Sequence, residues 1–211
     1  MAVPLPRFER LDSEKRARLL EAAVAEFVAK GYEAASLNGI LAAAGLGKSS
    51  YYYYFADKED LLATVLEAAL AQLEAEAPLP ALDGLDASTF WPALDGYAAR
   101  AVEAMVRHPE LVALFRPLRN LWLAPPPRLK PLVDKVRSVY RVGIAAGQAL
   151  GCVRTDLDIE WLVSLVEAAD TALDEHLLAQ PEVTPEQVRA HTRLAFDTMR
   201  RLLDPAPVFR T

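Results

Sequence analysis

Cysteine occurs once in the 211 residues, at Cys152, and histidine three times, at His108, His176 and His191. A single thiol excludes an internal disulfide framework and any cysteine-only metal site. The three histidines are far apart, without His-Glu-x-x-His spacing, and the chain has neither a glycine-rich phosphate loop nor a nucleophile elbow. No catalytic residue, metal site or cofactor is therefore expected, and the chain does not read as an enzyme. Apolar runs are broken by charge well short of the 18 or more residues that a membrane helix needs. The stretch from Met1 to Arg10, interrupted by Pro4 and Pro6, lacks the apolar core of a secretory signal. A soluble protein of the cytoplasm, with no membrane partner, is the expectation.

β-branched residues are scattered, so strand signals are scarce. Ala, Leu, Glu and Arg dominate instead, in segments with a period near 3.6, and 53% hydrophobic content is ample for a packed core. The chain reads as all-α, with nine helices. The first is predicted over 13–30, capped by Asp12 or Ser13 and stopped by Gly31, with Leu20, Ala23, Val24 and Phe27 on its core face. Ser36 caps a short second helix that ends near Ala44 and Gly45. A short third helix covers about 48–54, and a long fourth covers about 57–77. After a loop marked by Pro78, Pro80 and Gly84, helices follow near 88–107, 109–123, 128–150, 158–179 and 184–203. The last opens with Thr184, Pro185 and Gln187, a cap, a first-turn proline and a capping-box partner. Pro117 falls inside the sixth and predicts a kink.

The net charge of −6 is unevenly spread. Residues 1–58 hold eight Lys or Arg against seven acids, whereas the remainder holds fifteen against twenty-two. A locally basic face is compatible with that distribution, because affinity for phosphate depends on the charges that touch it.

Tyr51 to Tyr54 form an unbroken row within "GLGKSSYYYYFADKEDLL". Successive helical side chains step by about 100°, so four tyrosines cannot share one buried face. Tyr51 and Phe55, four apart, are assigned to the core with Ile40 and Leu46; Lys48, Ser49 and Tyr52 leave from another face, with Tyr53 beside it. Two short helices bent at Gly45 form a helix-turn-helix, the arrangement whose second helix enters the DNA major groove. Tyrosine hydroxyls donate to phosphate while their rings pack on the sugar backbone, and Lys48 and Lys58 supply charge at either end.

The segment "LLEAAVAEFVAKGYEAASLNGILAAAGLGKSSYYYYFADKEDLL" resembles the N-terminal domain of TetR-type (tetracycline-repressor-like) regulators. The resemblance rests on Phe27, Gly31 and Tyr32 at the end of the first helix, on Ile40, Ala44 and Gly45 at the turn, and on Tyr52, Tyr54, Phe55 and Lys58. It implies that Lys48, Ser49, Ser50 and Tyr52 face bases or the groove edge. It implies further that Tyr53, Tyr54 and Lys58 grip phosphates, with Ser36 and Asn38 at the start of the second helix. Gly47 stands where the family usually has Ser or Thr, and Gly39 lies inside the second helix.

The same resemblance implies a two-domain, nine-helix regulator. A three-helix DNA-binding domain would occupy 1–57, and a helical ligand-binding and dimerisation domain 58–211. Helices five to seven would enclose a small-molecule effector, and helices eight and nine would form a two-fold homodimer reading a palindromic operator in double-stranded DNA. Candidate effector contacts are Trp91, Tyr97, Met105, His108, Phe115, Arg116, Arg119, Trp122 and Tyr140. A mainly apolar pocket favours a hydrophobic or amphipathic molecule, whose binding releases a repressor from its operator. The competing expectation is a helical small-molecule-binding protein without DNA-binding activity, and Gly39 with Gly47 is the feature that favours it.

Overall fold

The computed structural model describes residues 6–47, 51–178 and 183–205, which contain helices and their connections and no strand. The helices are α1 (Pro6–Glu9), α2 (Ser13–Ala34), α3 (Leu37–Ala43), α4 (Tyr51–Tyr54), α5 (Lys58–Glu76), α6 (Phe90–Arg107), α7 (Pro109–Leu123), α8 (Lys130–Ala149), α9 (Ile159–Leu178) and α10 (Pro185–Leu203). The nine expected helices are present, and α1 is an additional single turn. It exists because Phe8 is buried, with its ring centroid 5.0 Å from that of Phe55.

Local chemistry sets most boundaries. The Asp12 carboxylate accepts from the amides of Glu14 and Lys15 at the start of α2, and Gly31, with φ of 70°, breaks that helix as expected. Thr184 and Gln187 form the reciprocal capping box of α10. Asp86 gathers the amides of Ser88 and Thr89 ahead of α6. At the end of α8, Gly151 takes φ of 70° while Cys152 donates back to the Gly147 carbonyl at 2.8 Å. A left-handed residue followed by such a bond is the Schellman stop, which glycine adopts without a Cβ clash.

The chain forms two compact units, one of Met1–Gln72 with His108–Lys135, the other of Leu73–Arg107 with Val136–Thr211. α7 packs along α2 and so belongs to the N-terminal unit. The core of the first unit collects Leu19, Ala23 and Phe27 of α2, Ile40 and Leu41 of α3, Phe55, Leu61 and Leu62 of α5, and Leu114 of α7. The α2 core stripe is thus 19/23/27. Leu20 and Val24, expected on the core face, sit one helical step round and are half-buried. With Val28, Val65, Ala68 and Leu111 they line an open groove of about 420 Å³.

In the second unit α10 packs on α6 and α9. Phe90, Ile144, Val153, Leu162, Val166 and Leu203 form its centre. Gly147 sits in a tightly packed crossing. A Cβ there would stand 2.4 Å from Val153 Cγ2 and 2.7 Å from Phe90 Cζ, whereas a Cβ at Gly143 would meet nothing within 4 Å. The close approach is therefore made at Gly147 and not at Gly143. Gly147→Ala should destabilise the protein by about 1–3 kcal/mol through overpacking. Gly143→Ala should be neutral or stabilising by up to about 1 kcal/mol. Urea unfolding of the two variants beside the parent separates these outcomes.

Candidate nucleic-acid interface

The α3–α4 region is held from beneath by α2. The Glu26 carboxylate accepts from Lys30 Nζ and from the Ser36 amide, both at 2.8 Å. It thereby anchors the residue that caps α3. Ser36 Oγ in turn accepts from the Gly39 amide at 3.2 Å, the N-cap role expected of it. The hydrogen bond from Lys30, then that from Ser36, holds the Glu26 carboxyl below its usual range. Asn38 is exposed, Ile40 and Leu41 are buried, and Leu46 is half-buried.

The turn after α3 is a complete Schellman motif. Gly45 has φ of 70°, its amide donates to Ala42 at 3.1 Å, and Leu46 donates to Leu41 at 2.8 Å. Lys48, Ser49 and Ser50 lie outside the described residues, as do the side chains of Tyr51 and Tyr52. The chain re-emerges in α4 with Tyr53 half exposed and Tyr54 partly buried, their rings edge to face at 5.1 Å. Phe55 is wholly buried, as the sequence implies.

Lys58 has a fixed position. Its Nζ donates to the Glu33 carbonyl at 2.8 Å and lies 4.8 Å from the centroid of the Tyr32 ring. The ammonium thus closes the end of α2 against the start of α5, a bracing role absent from its reading as a phosphate contact. An ammonium has three donors, and one is used in this bond. Tyr32 stacks on Phe27, and burial, then the charges of Glu59, Glu33 and Asp57, raises its hydroxyl pKa. Lys15 and Arg18 on the first turns of α2 are exposed, and Arg16 is partly so.

The start of α5 is a dense polar knot. Asp57 Oδ1 accepts from the Asp60 amide at 2.8 Å, and Asp60 Oδ2 accepts from the Ala56 amide at 2.9 Å. Asp60 is 1% exposed. Arg128, from the connection between α7 and α8, reaches this knot: Nη2 lies 3.0 Å from Asp57 Oδ2, Nη1 3.7 Å from Asp60 Oδ1, and its amide donates to Glu59 Oε1 at 2.6 Å. Sequence reasoning missed Arg128 altogether, since its partners are about seventy positions away.

The residues expected around an effector fall in both units. Trp91 and Tyr140 flank the apolar centre of the second unit, Trp91 edge to face with Phe90 and 5.2 Å beneath the Arg200 guanidinium. The Tyr140 hydroxyl donates to Asp170 at 3.0 Å. Tyr97 is partly buried, and burial, then the charge of Glu74, raises its hydroxyl pKa; Met105 is half-buried. His108 belongs to the first unit, where it bonds Gln72 and faces Glu110. The side chains of Phe115, Arg116, Arg119 and Trp122 lie outside the described residues. Among the described residues no helix is long and apolar enough to cross a membrane, and no cluster of His, Cys, Asp or Glu is placed to hold a metal ion.

Comparison with known proteins bears on the same region. The family model described as bacterial regulatory proteins, tetR family, matches residues 19–65. The transcriptional repressor NicS of Pseudomonas putida is 33% identical over 148 residues, 68% of each chain. The transcriptional repressor SCO4008 of Streptomyces coelicolor is 33% identical over 100 residues, so the chain spans about half (47%) of that relative's length. A TetR-family regulator from Chloroflexus aurantiacus has a similar fold, with a TM-score of 0.61 at 24% identity over 96% of this chain and 99% of that one.

Two outcomes test the geometry. Gly45→Ala forces a Cβ into the left-handed region and should cost about 1–2 kcal/mol, although the position is otherwise open. Because the folded-state pKa of Glu26 is lowered, its stabilisation is present above the unfolded value near 4.5 and is lost as pH falls through the folded one. Glu26→Gln should therefore be less stable than the parent at neutral pH, and the gap should narrow on acidification, as thermal melts between pH 7 and pH 3 would show.

Proposed function

The chain belongs to the tetR family of bacterial regulatory proteins, and from that premise we propose that it is a ligand-responsive transcriptional repressor acting on double-stranded DNA. The observation that supports this most directly is the presentation of Tyr53, half exposed, with Tyr54 partly exposed beside it, from a short helix whose next residue, Phe55, is fully buried. Rigid rings anchored in this way can pack on the sugar backbone while their hydroxyls donate to phosphate. In this reading Lys48, Ser49, Ser50 and Tyr52 read the groove, Ser36 and Asn38 border it, and Tyr53, Tyr54 and Lys58 hold phosphates. Segment 1–57 then carries DNA binding, and 58–211 carries effector binding and dimerisation.

Dimerisation is assigned to α9 and α10. Trp161 is 68% exposed, Leu194 54% and Leu165 39%, all on these two helices of the second unit. Water contact over such large apolar groups is unfavourable by roughly 25 cal/mol per Å², and a second copy would remove it. A two-fold dimer places two reading helices about one DNA turn apart and so selects a palindromic operator. The effector is taken to be small and hydrophobic or amphipathic, contacting Trp91, Tyr97, Met105 and Tyr140 in the second unit. It lowers operator affinity by binding better to a conformation in which the reading helices are misaligned.

The test is fluorescence anisotropy on duplex DNA from upstream of the gene, against a shuffled duplex, across a salt series. Selective binding that weakens steeply with salt is the expected result. Tyr53→Phe and Lys58→Ala should weaken binding on every duplex, and Lys48→Ala should change preference among sequences. Absence of any selective duplex, even after random-sequence selection, would leave a ligand-binding protein without DNA-binding activity. For the dimer, Trp161→Arg with Leu194→Arg should halve the mass measured by light scattering without unfolding the chain.

A further inference from the structure

We infer that Arg128 is a positioning residue for the DNA-reading helix: from the α7–α8 connection it closes the carboxylate knot at the base of α5 and so fixes the turn that presents Tyr53 and Tyr54. The inference rests on the DNA-binding reading for its functional part, and on geometry alone for its structural part.

Asp60 is buried, as are Phe55 and Leu61 near it in sequence, yet among the described residues its Oδ1 accepts no hydrogen bond. Its other oxygen is committed to the Ala56 amide, the residue directly after Phe55. A buried carboxylate needs compensation for lost hydration, and Arg128 Nη1 at 3.7 Å is the charge that supplies it. The same guanidinium meets Asp57, the cap of α5, at 3.0 Å, while the Arg128 amide donates to Glu59. All three acids lie within four positions of the Phe55–Ala56 step. Without Arg128, three carboxylates crowd one helix start, held only by the helix dipole and local amides. The turn 55–57 would then lose its one cationic tie from outside the segment among the contacts described, and the tyrosines ahead of it would lose a fixed orientation. The knot is contributed by two segments that are remote in sequence. A shift of the α7–α8 connection would thus be felt at the reading helix without passing along α5.

A rival role for Arg128 is direct contact with phosphate, and the two roles differ in the effect of the acids. If Arg128 positions, Arg128→Gln and Asp57→Asn each weaken operator binding by about tenfold, the size of one charge-assisted bond, and the double variant is no weaker than either. Asn preserves the cap, so the change at Asp57 isolates the charge. Arg128→Lys restores binding only in part, since one ammonium cannot fork between two carboxylates. If Arg128 instead contacts phosphate, Asp57→Asn tightens binding, the two changes add, and Arg128→Gln lowers the salt slope by about one. That pattern overturns the inference.

The structural part is read on the free full-length protein by amide hydrogen exchange. Arg128→Gln and Asp57→Asn should both speed exchange of the Ala56 and Asp60 amides while leaving the α9 and α10 amides unchanged. Unchanged exchange at 56 and 60 overturns the inference. Should the parent bind no selected duplex, the DNA reading fails by itself, and the exchange data still decide whether Arg128 holds the turn.

Discussion

Burial of Phe55 sets the geometry of the turn between α4 and α5. The ring has no exposed surface and meets Phe8 of α1 at 5.0 Å, so it fixes the rotation of the chain where α4 ends. Helical side chains immediately before a buried one must leave in other directions, at about 100° per position. Tyr53 is thereby turned out of the core, with its ring braced edge to face against that of the partly buried Tyr54. Complete burial of a phenylalanine is worth about 1.5–3 kcal/mol. The two tyrosines are held by that apolar anchor and by the polar knot that follows it.

Charge in the first unit is used locally. Glu26 joins Lys30 to the cap of α3, Lys58 joins the end of α2 to the start of α5, and Arg128 answers Asp57 and Asp60. Each of these links connects a helix end to a neighbour, where unpaired backbone groups and helix dipoles give a charge most effect. Glu26, Asp57 and Asp60 are thereby occupied at helix ends, while Lys15 and Arg18 remain exposed on α2.

The second unit follows a different logic. Its centre is apolar and tightly fitted, with Gly147 admitting Phe90 and Val153 to within contact distance, and its surface ion pairs, such as Arg189 with Glu103 at 2.8 Å, tie neighbouring helices. Pairs of this exposure contribute little to stability. The large exposed side chains Trp161, Leu165 and Leu194 stand apart from that pattern, and the proposed dimer gives them a place.

Sequence alone determined the features whose two partners lie within a few residues. The all-helical class follows from a 3.6 period, the stops at Gly31, Gly45 and Gly151 from glycine's access to positive φ, and the caps at Asp12, Ser36 and Thr184 from side chains that reach their own helix amides. The turn between α3 and α4 was legible for the same reason. Tertiary structure decided what depends on residues brought from afar. It selected the 19/23/27 stripe of α2 over the adjacent 20/24 positions, turned 6–9 into a helix under Phe8, returned α7 to the N-terminal unit, and engaged Lys58 with Glu33. Arg128 shows the difference most clearly. No local pattern marks it, because an arginine in a proline-rich connection acquires its role only when folding sets it against carboxylates some seventy positions away.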